Sequence, residues 1–191
     1  MAEPEQSQVA LVLIDVINGF AFEGSDGLVA AARRAAPKIL ALRERAHAAG
    51  VPVVYVNRSF GHADFGATVA ACSETDQPGH NVARMLAPTE NDQLLLKPDH
   101  SAFSCADFAP LLTSLGARKL VLAGFPTDVC LVPTVDDAHT RGYEVLVPAD
   151  CTAASSSELT ERALERVQAT ANARTDDSLE VDLAALRYLV A

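Results

Sequence analysis

The sequence predicts a three-layer α/β/α domain built on a central, mostly parallel sheet of six strands. Two observations carry that expectation. Apolar runs recur within 9–14, 51–56, 93–97, 119–123 and 143–147, the first of them unbroken, and such runs suit strands buried on both faces. Segments with helical spacing lie between them, and strands alternating with helices specify a parallel sheet covered on both sides. No internal repeat, low-complexity tract or linker interrupts the pattern, so residues 1–191 are expected to form a single domain.

Taken in order, the first strand ends at Asp15, with Val-Ile-Asn-Gly-Phe20 following. A carboxylate there stands where ligands bind in open α/β sheets, outside the carboxyl ends of the strands. Residues 28–49 carry a helical pattern rich in Ala, Leu and Arg, and Pro37 predicts a break or two shorter helices, because it has no N–H to donate. Residues 57–79 read as a long polar loop with a short helix near 67–73, a kind of loop that often serves as a lid or an oligomer contact. Another short helix is expected over 81–86. The third strand carries three leucines before Lys97 and is expected to be buried, so that the ammonium faces a cleft. A helix over 106–115 ends at Gly116 and leads to the fourth strand. Gly124-Phe125-Pro126 then makes a turn, and Thr127-Asp-Val-Cys130 opens a helix that ends near Gly142, with Pro133 setting or kinking its start. After the fifth strand come an amphipathic helix over 155–173, a short sixth strand at 178–181 and a last helix over 183–190.

Composition removes several classes of function. Apolar residues make up 49% of the 191, too many for a disordered chain. The formal charge is −10 and no block of Lys and Arg appears, so no nucleic-acid partner is expected. The polar, acidic start MAEPEQSQ lacks the features of a secretion signal, and the run at 9–14 is too short to span a bilayer. Cys72, Cys105, Cys130 and Cys151 show no C-x-x-C spacing and read as reduced thiols of a cytoplasmic enzyme.

The chemistry lies at the strand ends. Asp15, Lys97 and the turn before Cys130 all end parallel strands, and those ends share one edge of the sheet. A carboxylate, an ammonium and a thiol make a coherent set for acyl transfer. Asp15 can take the thiol proton and return it to a leaving amine, Lys97 can hold both partners by charge, and Cys130 can form a thioester that water cleaves. At a helix start the amides and the dipole favour negative charge, so Cys130 is expected to be a thiolate.

Three blocks, Leu13-Ile-Asp15-Val-Ile-Asn-Gly-Phe20, Leu96-Lys97-Pro-Asp-His-Ser-Ala-Phe103 and Gly124-Phe-Pro-Thr-Asp-Val-Cys130, resemble the signature blocks of isochorismatase-like cysteine hydrolases. The likeness covers about 9–150. It implies a six-stranded sheet, the triad Asp15, Lys97 and Cys130, and a homodimer or higher homo-oligomer acting on a small-molecule amide-type substrate. Amidases of that family cleave small amides, lactams and ureides; its isochorismate hydrolases cleave a vinyl ether. A binding protein without catalysis on the same fold is the third possibility. Nicotinamidases of the family hold a metal through Asp-x-His after the second strand, where this chain has Asn57-Arg58-Ser59, so neither metal nor other cofactor is expected. The resemblance also implies a cis peptide, here Phe125–Pro126, next to an oxyanion hole. Pro126 has no N–H to offer it, which leaves the Thr127 amide or hydroxyl, or Cys130 N–H with a side chain. Phe20 and Phe103 are candidate pocket walls, and His100 a candidate polar contact.

Overall fold

In the computed structural model, which describes residues 7–188, the run Val9–Ile14 is a strand, β1, with no exposed residue on either face. Val9, Leu11 and Leu13 enter one core, and Ala10, Val12 and Ile14 enter the other. That is the two-residue alternation of a pleated strand, and two buried faces explain the unbroken apolar run. β2 (Val53–Arg58) and β3 (Gln93–Lys97) add on one side of β1; β4 (Lys119–Gly124) and β5 (Glu144–Leu146) add on the other. The order is β3-β2-β1-β4-β5, and every pairing is parallel. The direction of strand addition therefore reverses between β1 and β4, and ligands of open α/β sheets sit in the crevice at such a point.

One core packs α1 (Asp26–Ala48) and α7 (Leu183–Tyr188) on the sheet through Leu28, Ile39, Leu42, Leu183 and Leu186. The short helices α2 (Phe65–Cys72) and α3 (His80–Met85) join this layer through Phe65 and Val82. The opposite core packs α4 (Phe108–Leu115), α5 (Val132–Thr140) and α6 (Ser157–Ala171) through Phe108, Leu112, Val135, Ala163 and Val167. Among the described residues no helix is long and apolar enough to cross a membrane.

Three expectations need correction. The sheet has five strands among the described residues, not six. The chain after α6 meets β5 only at a single bridge, Leu146 to Arg174. Asp150 then accepts from the Ser178 amide and hydroxyl, both at 2.8 Å, which turns the chain off the sheet, and Ser178–Glu180 is a 3-10 turn. Pro37 does not break α1, which is one helix. Pro37 and Arg33 lie on its exposed face, so the Arg33 carbonyl that loses its helical partner faces water. The third strand is an edge rather than a buried strand, with Leu94 43% exposed. The last helix is described to Tyr188; its expected end at Val190, like residues 1–6, lies outside the described residues.

Candidate active site

Gly124 brings the ends of β1 and β4 together. It sits at φ 135°, and a Cβ there would lie 2.0 Å from the Ile14 carbonyl oxygen, so only glycine allows the approach. The Phe125 amide donates to that same carbonyl at 3.0 Å, and the Phe125–Pro126 peptide is cis. Thr127–Leu131 then forms a π-type turn that runs directly into α5, with Pro133 in the first turn where amides lack partners anyway. Cys130 lies inside this continuous helical run, 2% exposed.

Asp15 follows β1 with φ 51°, a left-handed conformation rare for residues with a side chain. Two contacts hold it there. Its amide donates to the Val56 carbonyl at 3.2 Å, and the Arg58 amide donates to its Oδ1 at 2.7 Å. Lys97 Nζ sits 2.7 Å from Oδ2, with both side chains buried. The ammonium also donates to the carbonyls of Asp99, at 3.0 Å, and His100, at 2.8 Å. Two carbonyls and one carboxylate thus compensate a cation with a side chain sealed from water. Oδ2 makes no hydrogen bond of good geometry among the described residues. The ammonium meets it by charge, and lone pairs stay open on that oxygen.

Burial pushes the Cys130 thiol up to about 12, from an ordinary 9.0. The Asp15 charge and its hydrogen-bond acceptance act in the same direction, while Lys97 and Arg58 act weakly against them. The thiolate expected from the helix start is therefore not the resting form. Burial and the carboxylate outweigh the helix start, whose Cys130 and Leu131 amides both turn to one backbone carbonyl. Cys130 N–H donates to the Pro126 carbonyl at 3.1 Å, and Leu131 N–H to the same oxygen at 3.3 Å.

Asp15 and Cys130 open onto a cavity of about 320 Å³, lined also by Asn18, Phe22, Leu28, Arg58, Phe60, Pro126 and Val129. The His100 ring lies beside the sulfur, with Nδ1 3.9 Å from Sγ. The other two aromatic candidates stand elsewhere. Phe20 is fully buried, with its ring against Phe125 at 6.3 Å, and borders a neighbouring hollow with His62, Cys72 and Gln77. Phe103 packs on Phe108 at 4.9 Å and under the Arg141 guanidinium at 4.6 Å, away from the cavity. Phe22 and Phe60, both partly exposed, form the aromatic walls instead.

Neither donor expected of Thr127 is free. Its amide donates to the Ala153 carbonyl at 3.0 Å, and its hydroxyl shares a hydrogen bond with that of Thr152 at 2.8 Å. A metal does not fit the place after β2 either. Asn57 brackets the segment after β1, accepting from the Ile17 amide at 3.1 Å and donating to the Ile17 carbonyl at 2.9 Å. Asp64 caps α2 and His80 Nδ1 bonds the Gln77 carbonyl. Among the described residues no three metal-binding side chains cluster. The sequence reading passed over Arg58, Asn18, Phe22 and Phe60. For Arg58 a signal existed, since it ends β2 as Lys97 ends β3 and pairs with Lys97 in the sheet register.

Residues 9–177 match the family model described as the isochorismatase domain. The chain is 33% identical over 161 residues to the uncharacterized isochorismatase family protein YaaI of Bacillus subtilis, covering 83% of this chain and 88% of YaaI. It is 32% identical over 154 residues to a maleamate amidohydrolase of Pseudomonas putida, covering 74% and 70% of the two chains. The crystal structure of N-carbamoylsarcosine amidase from Thermoplasma acidophilum superposes with a TM-score of 0.71 at 25% identity, over 92% of this chain and 99% of the other. The matched region holds all five strands, the cis turn and the residues of the cavity, and by these comparisons the chain belongs to the isochorismatase family.

Proposed function

We propose that the protein hydrolyses a C–N bond of a small amide, lactam or ureide, with Cys130 as the nucleophile and a thioester as the intermediate. The observation that carries this reading is the meeting of three strand ends, so that Asp15, Lys97 and Cys130 share one buried corner beside a cavity of small-molecule size. Because the thiol rests protonated, attack and proton transfer occur together. The Cys130 sulfur bonds to the carbonyl carbon as its proton passes to the carboxylate of Asp15. The protonated Asp15 then gives that proton to the departing nitrogen, and the C–N bond breaks to leave a thioester. Water attacks the thioester with Asp15 again as base, the C–S bond breaks, and the proton returns to the sulfur. Lys97 keeps its place throughout, fixed by the two carbonyls, and its charge holds the carboxylate beside the thiol.

A panel of small amides and ureides assayed for released ammonia or amine tests the reading, with lactams followed as the ring-opened acid. A substrate should be found whose turnover Cys130→Ala lowers by at least about 10³-fold, and intact mass should show an acyl adduct on the wild-type chain. One observation favours a second reading, cleavage of a vinyl ether with Asp15 as the acid: the thiol is pushed up to about 12 and its own amide is occupied. Full turnover by Cys130→Ala on the best substrate would establish that reading in place of the first.

A further inference from the structure

The tetrahedral intermediate of the proposed hydrolysis puts a negative charge on the former carbonyl oxygen, and hydrogen-bond donors must meet it. The two backbone amides that the sequence offered for this task are already bonded. Pro126 has no N–H, Cys130 N–H is held by the Pro126 carbonyl at 3.1 Å, and Thr127 N–H by Ala153 at 3.0 Å. The Lys97 ammonium is occupied by Asp15, Asp99 and His100.

One cation lining the cavity remains uncommitted. Arg58 borders the same cavity as Cys130. Its backbone amide serves Asp15, while its guanidinium makes no ion pair or hydrogen bond among the described residues. The Asp15 charge is already matched by Lys97, so the guanidinium leaves the corner with an excess positive charge, and Phe22, Phe60, Leu28 and Val129 form apolar walls around it. Arg58 is exposed at the mouth of the cavity, so its charge reaches the corner partly screened by water. We propose that the Arg58 guanidinium stabilises the oxyanion, a part for which the Thr127 and Cys130 amides, already bonded, are not free. The inference rests on Cys130 being the nucleophile.

Two reagents separate the roles without a known substrate. 4-Nitrophenyl acetate acylates a thiol through an oxyanion: the S–acyl bond forms, the C–O bond breaks, 4-nitrophenolate leaves, and the thiol proton goes to Asp15. Iodoacetamide alkylates the same thiol with loss of iodide and forms no oxyanion. In R58Q the 4-nitrophenolate burst, corrected with Cys130→Ala, should slow by on the order of 10²-fold. Alkylation of Cys130, read by peptide mass, should slow less than about fivefold, the worth of one partly screened charge. R58K, which keeps the charge without the fork, should fall between. R58Q keeps the amide that holds Asp15, and near-wild-type thermal unfolding confirms an intact fold. Equal slowing of both reactions, or no slowing of acylation, overturns the role of Arg58, as does a wild-type Cys130 that alkylates and gives no burst. A Cys130 inert to both reagents overturns the nucleophile reading itself.

Discussion

Cys130 and Asp15 have opposite requirements at rest and in reaction. Burial and the neighbouring carboxylate keep the sulfur protonated, so Asp15 both restrains the thiol and serves as its base in the proposed mechanism. The two effects come apart in Asp15→Asn. Removing the negative charge lowers the thiol pKa, and the Lys97 ammonium, left without its carboxylate, lowers it further. Alkylation of Cys130 by iodoacetamide at pH 7.5 should therefore speed up by at least about 10-fold, while turnover of the best substrate should fall by at least about 10²-fold. Alkylation that slows would mean that Asp15 assists ionisation at rest, against the charge argument. That Asp15, Lys97 and Cys130 come together was legible because two of them end apolar runs and the third follows the turn after another, and topology brings such ends together. Arg58 carried the same signature and was passed over. Phe20 and Phe103 were not legible: an apolar ring packs equally well in a core or a wall, and only tertiary neighbours decide between Phe125, Phe108 and a cavity.

At the scale of elements, strands gave the clearest signal because both faces of β1 are buried and its sequence is unbrokenly apolar. β3 was misread for the same reason. Leucines on an edge strand look like leucines in a core, and position in the sheet is not written in the strand itself. α1 shows the reverse case, a local breaker overruled by packing. Leu28, Ile39 and Leu42 hold both halves of the helix on the sheet, and that burial outweighs one lost hydrogen bond on the wet face. The cost of Pro37 persists, however. Pro37→Ala restores the amide that the Arg33 carbonyl lacks and should stabilise the protein by about 2 kcal/mol, after allowance for the freer unfolded chain. A higher urea midpoint at unchanged slope would register it. An unchanged or lower midpoint would show that α1 is distorted at Pro37 in a way that alanine cannot repair.

For the whole molecule, the two cores that sandwich the sheet make two thiols and one phenol ionise late. Cys130 and Cys151 are each pushed from 9.0 up to about 12 and Tyr55 from 10.0 up to about 12, in every case chiefly by burial. Cys151 and Tyr55 stand far from the proposed chemistry in role: Cys151 is fully buried in the α1-side core, and the Tyr55 hydroxyl donates to the Leu86 carbonyl at 2.9 Å while accepting from Arg43 at 2.8 Å. On unfolding, these groups return toward their ordinary values. Between about pH 9 and 12 the unfolded chain therefore gives up protons that the folded chain keeps. Stability is fully present below pH 9 and is lost as pH rises through this window, with a slope of at most about 1.4 kcal/mol per pH unit for each group. Urea unfolding at pH 8, 9.5, 10.5 and 11 should show a midpoint that falls steadily, and Cys151→Ala, whatever its cost at pH 8, should lose less over the same interval. A midpoint that stays level to pH 11, or a variant whose decline matches the wild type, would mean that water reaches the buried thiols before the chain unfolds, and that the α1-side core opens locally around Cys151.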